Sequence, residues 1–201
     1  MASMTLVRAF YEQPTLTVAP QLLGKYLVRV QPEGITAGKI VETEAYVGPE
    51  DKASHASRGR TPRTAVMFGP AGVAYVYLIY GFHHCLNIVT EMEGYPAAVL
   101  IRAVEPAQGL ELVHTRRRTH DARNLTNGPG KVCQAFAIDR SLNGADVCGE
   151  ALFIEDRRES PPEILATPRV GVEYAGAWKE QLWRFYIRGH PAVSKPDPPR
   201  T

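Results

Sequence analysis

Val73-Ala74-Tyr75-Val76-Tyr77-Leu78-Ile79-Tyr80-Gly81-Phe82-His83-His84-Cys85-Leu86-Asn87-Ile88-Val89-Thr90-Glu91 holds two β-prone runs, 73–80 and 85–91, joined by four residues that begin at Gly81. So short a connection joins antiparallel neighbours, and the stretch predicts a β-hairpin. Around it lie further runs rich in Val, Ile and Tyr at 26–30, 38–46 and 98–104. Residues 4–24 read as short helices: Leu6 and Phe10 stand at helical spacing, and Leu22-Leu23-Gly24 is a stop signal. Helices are expected at 107–118 and 131–138, and late strands at 151–155, 168–173 and 182–188. Strands in runs, with helices placed at the edges, predict an α+β fold on a mostly antiparallel sheet.

At 201 residues the chain fits one domain or two small ones, and it is long enough to bury about 70% of its unfolded surface. We expect one domain over 1–194 and a frayed tail over 195–201, where Lys195-Pro196-Asp197-Pro198-Pro199 is Pro-rich. Hydrophobic residues at 44% and charged residues at 22% exclude a disordered, collagenous or coiled-coil chain. Ala71–Tyr80 is the longest apolar run, well short of the ~18 residues of a membrane span. No basic segment leads into an apolar run at the start, so no secretory signal is expected. Cys85, Cys133 and Cys148 are odd in number and lack C-x-x-C spacing, which suits a reducing, cytoplasmic setting.

The net charge of +2 excludes little, but its distribution is uneven. Residues 139–163 carry seven acids against three arginines, leaving the rest of the chain at +6. Basic residues gather at Arg58, Arg60 and Arg63 and again at Arg116, Arg117, Arg118 and Arg123. Such segregation suits an acidic ligand on one side, and it equally describes an unevenly charged surface.

Three groups of residues could carry chemistry. On a strand, Glu42, Glu44 and Tyr46 share one face at steps of ~7 Å. Carboxylates are costly in a core without partners, so that face belongs either to an edge strand or to a cavity wall. Tyr75 and Tyr77 alternate with apolar residues, while Tyr80 and Phe82 fall at the hairpin tip, where exposed aromatics mark a contact. Arg102 sits within an apolar strand and needs a carboxylate partner, Glu42 or Glu44. His83-His84-Cys85 resembles a metal cluster only in composition, because successive strand side chains point oppositely; no metal is expected. His55, in the loop 47–64, could line a pocket or face solvent. Gly-rich phosphate motifs, H-E-x-x-H and G-x-S-x-G are absent.

Taken in order, Gly38-Lys39-Ile40-Val41-Glu42-Thr43-Glu44-Ala45-Tyr46, Gly48-Pro49-Glu50-Asp51, Thr61-Pro62-Arg63, Tyr75–Gly81 and Leu86-Asn87-Ile88 resemble the alkyladenine (3-methyladenine) DNA glycosylase family. Leu100–Pro106, Gly128-Pro129-Gly130-Lys131-Val132-Cys133-Gln134-Ala135, Arg169-Val170-Gly171 and Arg184–Gly189 continue the resemblance, which runs from about residue 6 to 194. The tip, Phe82-His83-His84, and a shorter loop after His55 depart from it.

The resemblance implies a single compact domain with a curved sheet and a protruding hairpin, acting on double-stranded DNA as a monofunctional glycosylase of base excision repair. It implies that Glu44 activates a water to attack C1′, helped by Arg102 and the backbone of Val170. Tyr46, His55 and Tyr77 would stack on the flipped purine, and Asn87 would reject the amino group of normal guanine. Tyr80 would fill the vacated stack, with Phe82, Arg63 and Lys131 also at the DNA. Lesions of the 3-methyladenine, 7-methylguanine, hypoxanthine and ethenoadenine class are expected, with no cofactor, no lyase activity and a monomeric chain. A non-catalytic lesion sensor and a sugar O-glycosidase using Glu42 with Glu44 are the alternatives from other classes.

Overall fold

A computed structural model describes residues 4–160 and 162–195. Its described residues form nine strands: β1 Met4–Thr5, β2 Tyr26–Gln31, β3 Gly34–Val47, β4 Ala74–Ile79, β5 His83–Val89, β6 Ala97–Gln108, β7 Leu152–Asp156, β8 Ile164–Thr167 and β9 Arg184–Ile187. All pair antiparallel, in the order β1-β7-β2-β3-β6-β5-β4. The sheet branches at β3. On its far edge from β6, β2 pairs with residues 34–39 and β9 with residues 42–44, and β8 lies beyond β9.

The branch coincides with a defect. Register between β3 and β6 shifts on both sides of Glu42, and such bulges bend a strand and increase its twist. Another shift lies at Ala37/Gly38, where the two strands approach closely. A Cβ on Gly38 would stand 2.5 Å from Val104 Cγ1 and 2.6 Å from the Glu105 carbonyl oxygen, so glycine is required there.

Four short α-helices, α1 Arg8–Tyr11, α2 Thr15–Gln21, α3 Leu110–Arg117 and α4 Pro129–Ala135, flank the sheet. Pro129 opens α4 at a first-turn position, where its missing N–H costs nothing. The main core joins α2 and α4 to the sheet through Val18, Leu22, Leu27, Ile40, Ile88, Ile101, Val132 and Phe136. Burying a side chain of this size contributes about 1.5–3 kcal/mol. Thr43 donates its hydroxyl to the Ala19 carbonyl at 2.9 Å, fixing α2 against β3 just beside the defect.

The α+β class and the mostly antiparallel sheet are as expected, with corrections in detail. The hairpin loop is three residues, Tyr80-Gly81-Phe82, because Ile79 pairs with His83. The expected helix at 107–118 begins at Leu110, since β6 continues to Gln108. The expected strand at 168–173 is instead β8 at 164–167, and the segment after it is irregular. Its Arg169 turns inward to Asp51 and the Ala45 carbonyl. Strand β1 and the branch were not anticipated. The expected frayed tail lies outside the described residues from 196 onward, while the Lys195 carbonyl accepts a hydrogen bond from Arg184.

Candidate active site

The irregular segment after β8, the hairpin, the loop around His55 and the start of α4 enclose a cavity of about 540 Å³. One wall is aromatic. Tyr75 and Tyr77, two residues apart on β4, present tilted rings 5.3 Å apart. His55 meets Tyr77 edge-on at 4.5 Å and shares a hydrogen bond of 3.1 Å between Nδ1 and the Tyr75 hydroxyl. Burial, with Arg63 and Arg58 adding repulsion, pushes the His55 pKa down to about 4, so its ring is neutral at pH 7. Asn87 lies across the hairpin, its side-chain amide donating to the Tyr75 carbonyl at 3.3 Å.

Deeper in, Tyr46, Arg102 and Val170 line the cavity and all three donate to one carboxylate. Glu44 Oε2 accepts from the Tyr46 hydroxyl at 2.8 Å and from Arg102 Nη1 at 3.2 Å. Its Oε1 accepts from the Val170 N–H at 2.7 Å. Glu44 has no exposed surface, so it stands one layer behind the wall. Burial raises the Tyr46 phenol far above its ordinary range, and the nearby Glu44 charge adds to this, so Tyr46 stays a donor.

Glu42 is equally buried and does not line the cavity. Burial alone would raise its pKa, but Arg102, Arg184 and the Ser194 N–H together hold it below the usual carboxylate range. Both carboxylates face Arg102, as the strand alternation predicts, and neither lines the cavity itself. With Glu42 committed to two arginines and Ser194, a working pair of glycosidase carboxylates is not formed.

At the rim, Tyr80 and Phe82 are 79% and 69% exposed, the hairpin tip presenting both rings to solvent. Tyr80 holds φ +55°, a left-handed conformation costly for an aromatic residue, next to Gly81 at φ +78°. The cavity beneath it is lined by the rings of Tyr46, Tyr75 and Tyr77 and by the imidazoles of His55 and His83.

Residues 9–191 match the methylpurine-DNA glycosylase family. The chain belongs to that family. It is 54% identical over 195 residues to a protein of Methanocella arvoryzae named as a 3-methyladenine DNA glycosylase, covering 96% of this chain and 97% of the relative. A protein of the same name from Anaeromyxobacter dehalogenans is 52% identical over 196 residues, covering 97% and 88%. One from Clostridium acetobutylicum is 49% identical over 201 residues, covering 95% and 98%. Membership makes this chain a DNA glycosylase acting on methylated purines, a hydrolase of N-glycosyl bonds in base excision repair, with DNA as its substrate.

In this glycosylase the basic residues read from the sequence separate into two kinds. Arg63 is exposed, its guanidinium 5.3 Å from the Tyr77 ring and its Nη2 donating to the Leu78 carbonyl at 3.3 Å. Lys131 lies on the cavity wall, its ammonium held by the side-chain oxygens of Asn124 and Asn127. Arg116 and Arg117 are instead fasteners. Arg116 donates to the Ala135 carbonyl and Glu33, and Arg117 to the Leu125 and Asn124 carbonyls and Gln134, tying α3 to α4. Arg117 also lines the cavity, beside Lys131.

Four residues of this environment escaped the sequence reading: Asp51, Arg169, Arg184 and Ser194. Asp51 accepts from Arg169 at 2.6 and 2.9 Å, and Arg169 also donates to the Ala45 carbonyl at 2.9 Å. The Arg169 guanidinium lies between the Tyr46 and Trp183 rings, 4.8 and 5.0 Å from their centroids. The signal was available: arginines flanked by apolar residues, Pro168 and Val170 in one case and Trp183 and Phe185 in the other, demand partners as Arg102 does.

Proposed function

We propose that the chain is a monofunctional glycosylase that flips an alkylated or deaminated purine out of duplex DNA and hydrolyses its N-glycosidic bond with a water activated by Glu44. The observation that carries this reading is the convergence of Tyr46, Arg102 and the Val170 N–H on the Glu44 carboxylate at the back of an aromatic cavity. A water that enters between Glu44 and the flipped nucleotide gives its proton to the carboxylate as its oxygen bonds to C1′. The C1′–N9 bond breaks, and its electron pair moves into the purine. In 3-methyladenine or 7-methylguanine that pair neutralises a positive ring, so the leaving group needs little acid help. Charge building on the sugar is opposed by the nearby carboxylate.

Ground-state recognition follows from the same charge. The faces of Tyr46 and Tyr77 favour an electron-poor ring by ~0.5–2 kcal/mol each. A neutral His55 adds no repulsion, and the Asn87 amide meets the exocyclic edge of the base. Hypoxanthine and ethenoadenine belong to the same reading as neutral purines of matching shape. Lyase activity would need an amine at C1′, and the cavity's Lys131 has its ammonium held by two asparagines. We further propose that the enzyme works as a monomer, in the cytoplasm, where Cys85, Cys133 and Cys148 stay free.

The deciding experiment uses duplexes carrying one 7-methylguanine or one 3-methyladenine, incubated with enzyme and cleaved at abasic sites with alkali. Glu44→Gln keeps the shape and loses the base, so release falls at least roughly 10²–10⁴-fold while lesion binding is retained. Near-normal turnover in that variant removes Glu44 from the mechanism. An equal loss in Glu42→Gln with Glu44→Gln active would mean that the other carboxylate is the base.

A further inference from the structure

Next to Glu44 lies a second buried carboxylate, Glu42, with no exposed surface. Glu42 Oε1 accepts from Arg102 Nε at 3.0 Å, Arg184 Nε at 2.7 Å and the Ser194 hydroxyl at 2.9 Å. Its Oε2 accepts from the Ser194 N–H at 2.7 Å. Arg184 extends the set outward, donating to Thr167 Oγ1 at 3.2 Å and to the Lys195 carbonyl. Residues of β3, β6, β9 and the segment after β9 thus meet at one carboxylate, and the meeting point is the branch of the sheet.

The geometry leaves Arg102 little freedom. Nε is taken by Glu42 and Nη2 by the Ser194 hydroxyl at 3.3 Å, so only Nη1 is directed at Glu44. The charges balance as well. Glu42, Glu44, Arg102 and Arg184 are all buried, and two carboxylates against two guanidiniums sum to zero. Were Glu42 absent, both arginines would have Glu44 as their remaining buried anion, and Arg102 could turn its full fork onto it. A base chelated in that way is poor at taking a proton from water.

We propose that Glu42, Arg184 and Ser194 are positioning residues that hold Arg102 to a single contact with Glu44 and keep the buried charge balanced, so that Glu44 remains available to the attacking water. This rests on Glu44 being the base. Neither Glu42 nor Arg184 lines the cavity, so their effect passes through Arg102.

The groups facing Glu44 are Tyr46 on β3, Tyr77 on β4, Cys85 on β5 and Arg102 on β6. Burial raises both phenols and the thiol, so they are neutral and Arg102 is the charge that Glu44 meets. His55, on the cavity wall, gains its proton in acid and is the same in every variant below.

Single-turnover release of 7-methylguanine from a duplex, followed from pH 4.5 to 9, tests the idea with Glu42→Gln, Arg184→Gln, Ser194→Ala and the double variant E42Q/R184Q. Folding is checked by circular dichroism. Removing the Glu42 charge leaves an excess positive charge near Glu44 and moves the acidic limb down by about one pH unit. Removing the Arg184 charge moves it up by a similar amount, and the double variant returns it toward the wild-type position. Ser194→Ala, which keeps all four charges, slows the step with the limb in place, and Ser194→Thr recovers it. A merely structural role lowers rates in all variants and moves no limb. Limbs that stay fixed, or that shift the same way in both single variants, overturn the proposal. If Arg184→Gln does not fold, Glu42→Gln and the Ser194 pair decide alone. An active Glu44→Gln enzyme would instead remove the reading on which the proposal rests, whatever the limbs do.

Discussion

Asp51 and Arg169 stand 118 residues apart and form a fully buried two-point ion pair, with N–O distances of 2.6 and 2.9 Å. Asp51 also accepts from the Val47 and Ala53 N–H groups, so one carboxylate fixes the loop after β3 and the segment after β8 together. Because Val170 follows Arg169, this pair sets where the Val170 N–H meets Glu44.

Asp51→Asn therefore leaves a buried guanidinium without its counter-ion. Removing one partner of a buried pair costs about 3–5 kcal/mol. We expect a thermal midpoint lower by many degrees, together with slower base release at temperatures where the variant is still folded. Urea unfolding and single-turnover kinetics measure the two effects. A stability loss below about 1 kcal/mol would mean that the segment is held by packing alone.

Tyr80→Ala tests the hairpin tip. An aromatic ring in the vacated stack offsets an unstacking cost of a few kcal/mol, and stacking on a base is worth ~1–3 kcal/mol. Specific affinity for a lesion duplex should fall roughly 5- to 150-fold, most for lesions that still pair well. Single-stranded substrate has no gap to fill and should be nearly unaffected. Equal harm to both substrates would make Tyr80 a packing residue.

Acid should destabilise the fold through His55. Its folded pKa of about 4 lies below the unfolded value of about 6.5, so the unfolded chain takes the proton first. The contribution is complete above pH 6.5 and is lost as pH falls from 6.5 toward 4, amounting at most to roughly 3 kcal/mol. Urea midpoints of wild type and His55→Gln at pH 7.5, 5.5 and 4.5 should converge in acid. Parallel curves would place the acid sensitivity elsewhere.

DNA binding should weaken with salt through Arg63 and not through Arg116. Each neutralised phosphate adds about −0.9 to the slope of log affinity against log salt. Arg63→Gln should flatten that slope by about one. Arg116→Gln should lower the melting temperature with the slope unchanged, because its guanidinium is spent on the Ala135 carbonyl and Glu33. The reverse pattern would exchange their roles.

Much of this molecule was legible in its residues because the signals were local. A three- or four-residue link can only make an antiparallel hairpin, and an aromatic beside Gly81 at a tip can only be exposed. Arg102 in an apolar strand announced a buried carboxylate partner, and Glu42 and Glu44 are both that partner. The alternation of Val170 and Val172 predicts a strand at 168–173, whereas the structure has an irregular segment whose Arg169 is drawn inward by Asp51 and by the Tyr46 and Trp183 rings.

The two carboxylates show where local reading stops. By residue type and spacing Glu42 and Glu44 are equivalent, two acids on one strand face with an arginine to share, and only the family resemblance singles out Glu44. The register shifts at Glu42 and the arrival of β9 on the same edge of β3 made them different. Glu42 acquired Arg184 and Ser194, from positions 142 and 152 residues away, while Glu44 acquired the Val170 N–H and the cavity side. Residue type determined that both acids needed cationic partners if buried. Which acid was sequestered and which was left beside the cavity depended on long-range pairing, because no local pattern encodes which distant strand will dock against a branch point.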